Sequence, residues 1–171
     1  MIEGDINILS IKIDANISLK DILNYFSQYT NEYIYKVTSE SLWNLFYDDN
    51  QGIVLGILSH NDFIFLVAYI DKVIQGQMTH EFFKKYCIVN NVNAILYTNN
   101  NTVDCSYIDI WENGSSKRFI AENYGIIDYE NGEETEYEVN GKHPSQILKT
   151  YLGFPLSELN NVLYDVVILK N

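Results

Sequence analysis

Proline is nearly absent from this 171-residue chain, with two residues in all, and cysteine is as scarce. Two cysteines, Cys87 and Cys105, cannot make a disulfide framework and are expected as free, buried thiols. The three histidines, His60, His80 and His143, stand apart. No H-E-x-x-H, C-x-x-C or paired Cys/His spacing occurs, which argues against a zinc centre. A glycine-rich phosphate loop is missing too, since Gly52 and Gly56 sit in the apolar run GIVLG and no G-K-[ST] follows. The longest apolar run, FIFLVAYI, spans only Phe63 to Ile70. A membrane-spanning helix needs roughly 20 such residues. The opening MIEGDINILSIKIDAN has neither a basic n-region nor an apolar h-region, so it does not read as a secretory signal and the expected location is the cytoplasm.

Positive charge is the other shortage. Eleven Lys and Arg face 23 Asp and Glu, for a net charge of −12. Direct binding to a nucleic-acid backbone or an anionic membrane would need the opposite field. The imbalance is local: Asp104 to Glu138 holds 10 acids against Lys117 and Arg118, a net of −8. Two-thirds of the net charge therefore lies in about a fifth of the chain. A hydrophobic fraction of 47% with 14 tyrosines, meanwhile, supplies the material of a folded core.

The hydrophobic pattern reads as one α+β domain over residues 1–171, mainly antiparallel, with a β-meander in its C-terminal half and several short helices. INILSIKI, EYIYKVTS, GIVLGILSH, FIFLVAYI and NAILYTNN are expected strands, the third and fourth apolar enough for the centre of a sheet covered on both faces. Helices are expected at ISLKDILNYFSQY (17–29), SESLWNLFYDD (39–49), THEFFKKYCIVN (79–90), PSQILKTYLG (144–153) and SELNNVLYD (157–165). VVIL at Val166–Leu169 is a last strand. The meander is expected to run through VDCSYIDIW, KRFIAENY, GIIDY and ETEYEV, with Asn113-Gly114 and Asn131-Gly132 as turn signals.

The densest acidic stretch is YENGEETEYEV, Tyr129 to Val139, with five glutamates and no basic residue. Folded as a hairpin with a three-residue loop over Glu130, Asn131 and Gly132, it would turn Ile127, Tyr129, Thr135 and Tyr137 towards the protein body. Asp128, Glu134, Glu136 and Glu138 would then crowd together towards solvent. Like charges opposite one another destabilise a strand pair by roughly 0.2–1 kcal/mol. Such a ribbon either solubilises the protein and guards a sheet edge, or waits for a cationic partner that relieves its self-repulsion. The second reading makes Asp128, Glu130, Glu134, Glu136 and Glu138 candidate partner contacts, with Asp109 and Glu112 extending the surface. Tyr107, Trp111, Tyr124 and Tyr129 are anchors where exposed, although most of them are expected in the core.

Catalysis has little to stand on. Neither cysteine has the electropositive local sequence that favours a thiolate. The glutamates read as solvated rather than as cleft carboxylates with raised or split pKa values. The chain is therefore expected not to be an enzyme and to need no cofactor or metal. In overall character, small, acidic, rich in Asn and Tyr and of α+β pattern, it resembles the immunity proteins of bacterial toxin systems, including contact-dependent growth inhibition. That resemblance implies a cytoplasmic inhibitor that binds and neutralises a cognate toxin domain, commonly a nuclease whose basic groove suits an acidic partner. A DNA-mimic or anti-restriction protein would use the same carboxylates, and a small ligand-binding or enzymatic domain would instead show an apolar pocket.

Overall fold

A computed structural model describes residues 6–12, 32–38, 52–69, 73–162 and 164–170. Among the described residues nine strands form one antiparallel sheet: β1 (Ile6–Lys12), β2 (Glu32–Thr38), β3 (Gly52–His60), β4 (Phe63–Tyr69), β5 (Ala94–Asn100), β6 (Cys105–Glu112), β7 (Ser115–Asn123), β8 (Ile126–Gly132) and β9 (Tyr164–Lys170). Their order across the sheet is β2-β9-β3-β4-β1-β5-β6-β7-β8. Two helices are described, α1 (Val73–Asn90) and α2 (Pro144–Leu152), with 3-10 turns at Glu136–Asn140 and Leu156–Asn161. The α+β class, the antiparallel pairing and the C-terminal meander β5-β6-β7-β8 agree with the sequence pattern.

Period-two alternation divides the core between the two faces. On β4, Ile64, Leu66 and Ala68 pack with Phe83, Tyr86 and Cys87 of α1. Phe63, Phe65 and Val67 pack instead with Ile147, Leu148 and Tyr151 of α2 and with Phe154 and Leu159 beyond it. Cover on both faces is why β4 reads as an unbroken apolar run. Helix α1 lies over β1 and β5, whereas α2 packs on β5, β6 and β7. Pro144 starts α2, where a missing N–H costs nothing, and Gly153 ends it in the left-handed conformation.

Several expectations need correction. Residues 134–139 do not form a strand: β8 runs on to Gly132, and the chain then enters the 3-10 turn Glu136–Asn140 on the α2 side. Asn131-Gly132 is consequently not a hairpin turn. Gly132 lies opposite Arg118 at φ 88°, and a Cβ there would stand 2.0 Å from the Lys117 carbonyl oxygen. It is a site of close backbone approach that only glycine can occupy. The turn that leads into β8 is Tyr124-Gly125. The helix expected over 157–165 shortens to Leu156–Asn161, because Tyr164 and Asp165 already pair in β9. Helix α1 begins at Val73, ahead of Thr79. The helices expected at 17–29 and 39–49 fall outside the described residues.

Candidate partner-binding surface

The acidic stretch divides into carboxylates that hold the fold and carboxylates that face outwards. Arg118 on β7 points to the α2 side of the sheet edge, and its side chain is 2% exposed. Its Nε and Nη2 donate to the two Glu138 oxygens at 3.0 and 2.8 Å, Nη2 also reaches Glu130 at 2.5 Å, and Nη1 donates to the Gly132 carbonyl at 3.0 Å. This fork geometry is what arginine offers a carboxylate. Glu138 completes its own shell by accepting from the Thr135 backbone N–H at 2.8 Å and, more weakly, from the Thr135 hydroxyl at 3.3 Å. Lys142 closes the network by pairing with Glu134 and, at 3.4 Å, with Glu130.

Charge pairing shifts these groups as expected. Burial would raise the Glu138 carboxyl, but the Arg118 and Thr135 hydrogen bonds outweigh it and leave it below the ordinary range. Glu130 is lowered by Arg118 and then by Lys142. Hydrogen bonds to Glu138 raise Arg118 further, and those to Glu134 raise Lys142. Glu130, Glu134 and Glu138 are therefore not a self-repelling row: Arg118 and Lys142 pair with all three and leave a net charge of only −1 among the five groups. Glu138 is also a buried side chain, 4% exposed, and cannot present itself to a partner.

Asp109 is a second correction. It is 2% exposed on the α1 face of β6, where it accepts from the Ser116 hydroxyl. Desolvation raises its carboxyl above the usual range, against the opposing effects of Ser116, Lys84 and Trp111. Nearby, His80 Nδ1 lies 2.8 Å from the Tyr107 hydroxyl. Burial and then Lys84 push the His80 pKa down to about 4, so its ring is neutral at pH 7. These groups form a polar seam between α1 and the sheet, and Asp109 is no surface contact.

What remains outward is Glu112 at the end of β6, Asp128 on β8, and Glu133, Glu134 and Glu136 after it, all exposed. Asp128 accepts from the Asn123 side chain at 2.9 Å. An open groove of about 590 Å³ is lined by Glu112, Glu133, Glu134 and Glu136, with Lys117, Thr135 and Tyr137 completing it. A smaller depression of about 150 Å³, bordered by Trp111, Asn113 and Tyr151, shares Glu112 and Tyr137 with it. The groove thus has four carboxylates along its walls, of which Glu134 is already paired with Lys142, and the Arg118–Glu138 lock sets the loop that carries three of them.

Of the aromatic anchors weighed from sequence, Trp111 is buried and Tyr107 half-buried, while Tyr124 and Tyr129 are exposed at 73% and 56%. Rings cross the α1 face of the meander in sequence: His80 on Tyr107 (5.1 Å between centroids), Tyr107 on Phe119 (5.6 Å), Phe119 on Tyr129 (6.0 Å). Tyr129 ends the row in solvent, so the inward orientation expected for it does not hold. Its position follows from pairing with Ala121 rather than with a strand over 134–139.

The remaining titratable groups have local roles. His143 Nδ1 contacts Glu122 at 2.5 Å where α2 begins, and His60 lies 3.5 Å from Glu158. Burial pushes the Cys87 thiol up to about 12, so it is protonated at neutral pH. Among the described residues no group of three or more His, Cys, Asp or Glu is arranged to hold a metal ion. No described helix is long and apolar enough to cross a membrane. No protein-family model, curated protein or solved structure matches this chain.

Proposed function

We propose that this chain is a cytoplasmic immunity-type protein that binds a cognate bacterial toxin domain, a nuclease, and neutralises it by occupying a basic surface. The observation that carries this reading is the groove beside the Arg118–Glu138 lock. Glu112, Glu133 and Glu136 face solvent there around the Tyr137 ring, and Lys117 is the only cation among the lining residues. A concave surface dominated by one sign focuses its field, raising association rates with an oppositely charged partner by about 10- to 1000-fold. The scaffold suits the task, because a buried ion-pair lock holds the loop without using up the three outward carboxylates. Direct affinity for nucleic acid is not part of the reading, since a net charge of −12 repels a phosphate backbone.

The test begins with capture of partners from the source cell at low and high salt, together with the gene immediately upstream. The expected result is one cationic protein, encoded beside this chain, whose expression arrests growth unless this chain is co-expressed. Growth arrest that co-expression does not relieve would overturn the reading. Retention of several unrelated DNA-binding proteins would instead identify a DNA mimic.

A further inference from the structure

The last two hairpins of the meander use the same turn with different chemistry. β6 and β7 join through Asn113-Gly114, at φ 48° and 69°, and β7 and β8 through Tyr124-Gly125, at φ 50° and 74°. Positive φ at both central residues marks a type I′ turn, whose first position favours Asn, Asp or Gly. Asparagine meets that demand in the first hairpin. In the second the position is held by a tyrosine, a bulky residue in a backbone region it rarely adopts, and its ring is mostly in solvent. Asparagine would serve the turn better, so turn geometry does not account for the tyrosine ring.

Its neighbours indicate what does. The Tyr124 N–H donates to the Asp104 carbonyl at 2.8 Å, which brings the 101–104 turn beside the tip. Val103 and Ile126 are 50% and 70% exposed there. Asn123 pairs with Ile126 in the sheet and holds Asp128 through its side chain. The segments 99–110 and 119–132 contain no Lys or Arg, so Asp104 and Asp128 flank an apolar, aromatic tip without a basic residue on either strand segment.

We infer that the Tyr124 tip is an anchor site for arginine side chains of a protein partner. A guanidinium can stack on the Tyr124 ring while pairing with Asp104 or Asp128, and its aliphatic stem can cover Val103 and Ile126. Lysine, a compact and strongly hydrated charge, gains less from such a surface. The inference rests on the proposed cationic partner and names a second contact on it, at the opposite end of β8 from the acidic groove.

The experiment is an amide NMR titration of the full chain with nine-residue oligoarginine and oligolysine peptides. The largest shifts are expected at Tyr124, Gly125, Ile126 and Asp128, with oligoarginine binding at least threefold more tightly. Tyr124→Asn should weaken oligoarginine at least fivefold and remove its advantage, while raising Tm by about 2 °C because the turn is relieved. Asp104 sits at φ 46°, and Asp104→Asn, which keeps a residue suited to that conformation, should weaken binding two- to threefold. Shifts confined to Glu112, Glu133 and Glu136 would overturn the tip as the anchor and leave the acidic groove as the docking surface. Equal binding of both peptides at the tip would overturn the preference for arginine. A Tyr124→Asn variant that loses stability and binds normally would make Tyr124 structural and overturn the inference.

Discussion

Replacing Arg118 by methionine cuts the Arg118–Glu138 lock while keeping a side chain of similar length. Glu138 would then keep only its Thr135 contacts, with its carboxylate almost fully out of water. Breaking a buried ion pair from one side costs about 3–5 kcal/mol, much of it the penalty of the stranded charge. For a domain of this size that corresponds to a fall in Tm of about 10 °C. Urea unfolding should show it as a midpoint lowered by roughly 2 M with little change in slope. Glu138→Gln should cost less, about 1–2 kcal/mol, because the amide keeps an acceptor for Arg118 but loses the charge. The double variant Arg118→Met/Glu138→Gln should recover about 2 kcal/mol relative to Arg118→Met alone, since no bare carboxylate is left behind. A single Arg118→Met variant within about 1 kcal/mol of wild type would refute the claim that this pair holds the acidic loop.

Other expectations follow from the same geometry. Because the folded-state pKa of His80 lies below its unfolded value, its contribution to stability is complete above pH 6.5 and is lost as pH falls towards 4. About 2 kcal/mol should disappear between pH 7 and 5, and a His80→Gln variant should lack that part of the slope. Asp109 has the opposite sign: its folded-state pKa is raised, so its ionised form weighs against folding at high pH and relief comes as pH falls through that value. The stability of Asp109→Asn relative to wild type should therefore improve as pH rises, and a flat difference across pH would remove the cause given for that shift. Gly132→Ala should cost more than about 2 kcal/mol, because the added methyl meets the Lys117 carbonyl at a positive φ; a thermal melt within a degree of wild type would contradict that close approach.

The strands were the most legible part of the chain. The apolar runs of β3 and β4 carry their own signal, because burial dictates the residue type at each position, whereas the alternation of INILSIK does not follow burial, since Ser10 is as fully buried as Ile8, Leu9 and Ile11. Asn113-Gly114 likewise names its turn. Asn131-Gly132 carries the same two letters for a different reason, a close approach to Lys117, and nothing local separates the two cases. Once that turn is misplaced, the period-two pattern of Glu134, Glu136 and Glu138 looks like a strand face, although tertiary pairing with Arg118 draws Glu138 inwards and the chain coils into a 3-10 turn. Arg118 was the missing signal. One arginine in an acidic meander should have been expected to collect carboxylates, but which ones depends on register. The Tyr124 turn was illegible for the converse reason, since tyrosine is not the residue that turn geometry selects.

The most direct measurement is the association rate with the captured cationic partner, followed by stopped flow from low to high ionic strength. Wild-type protein should associate fast and slow steeply as salt screens the field. A Glu112→Lys/Glu133→Lys/Glu136→Lys variant, folded by circular dichroism, should associate about 10-fold or more slowly with a nearly flat salt dependence. Identical rates and slopes for the two proteins would contradict the claim that these outward carboxylates meet a basic surface.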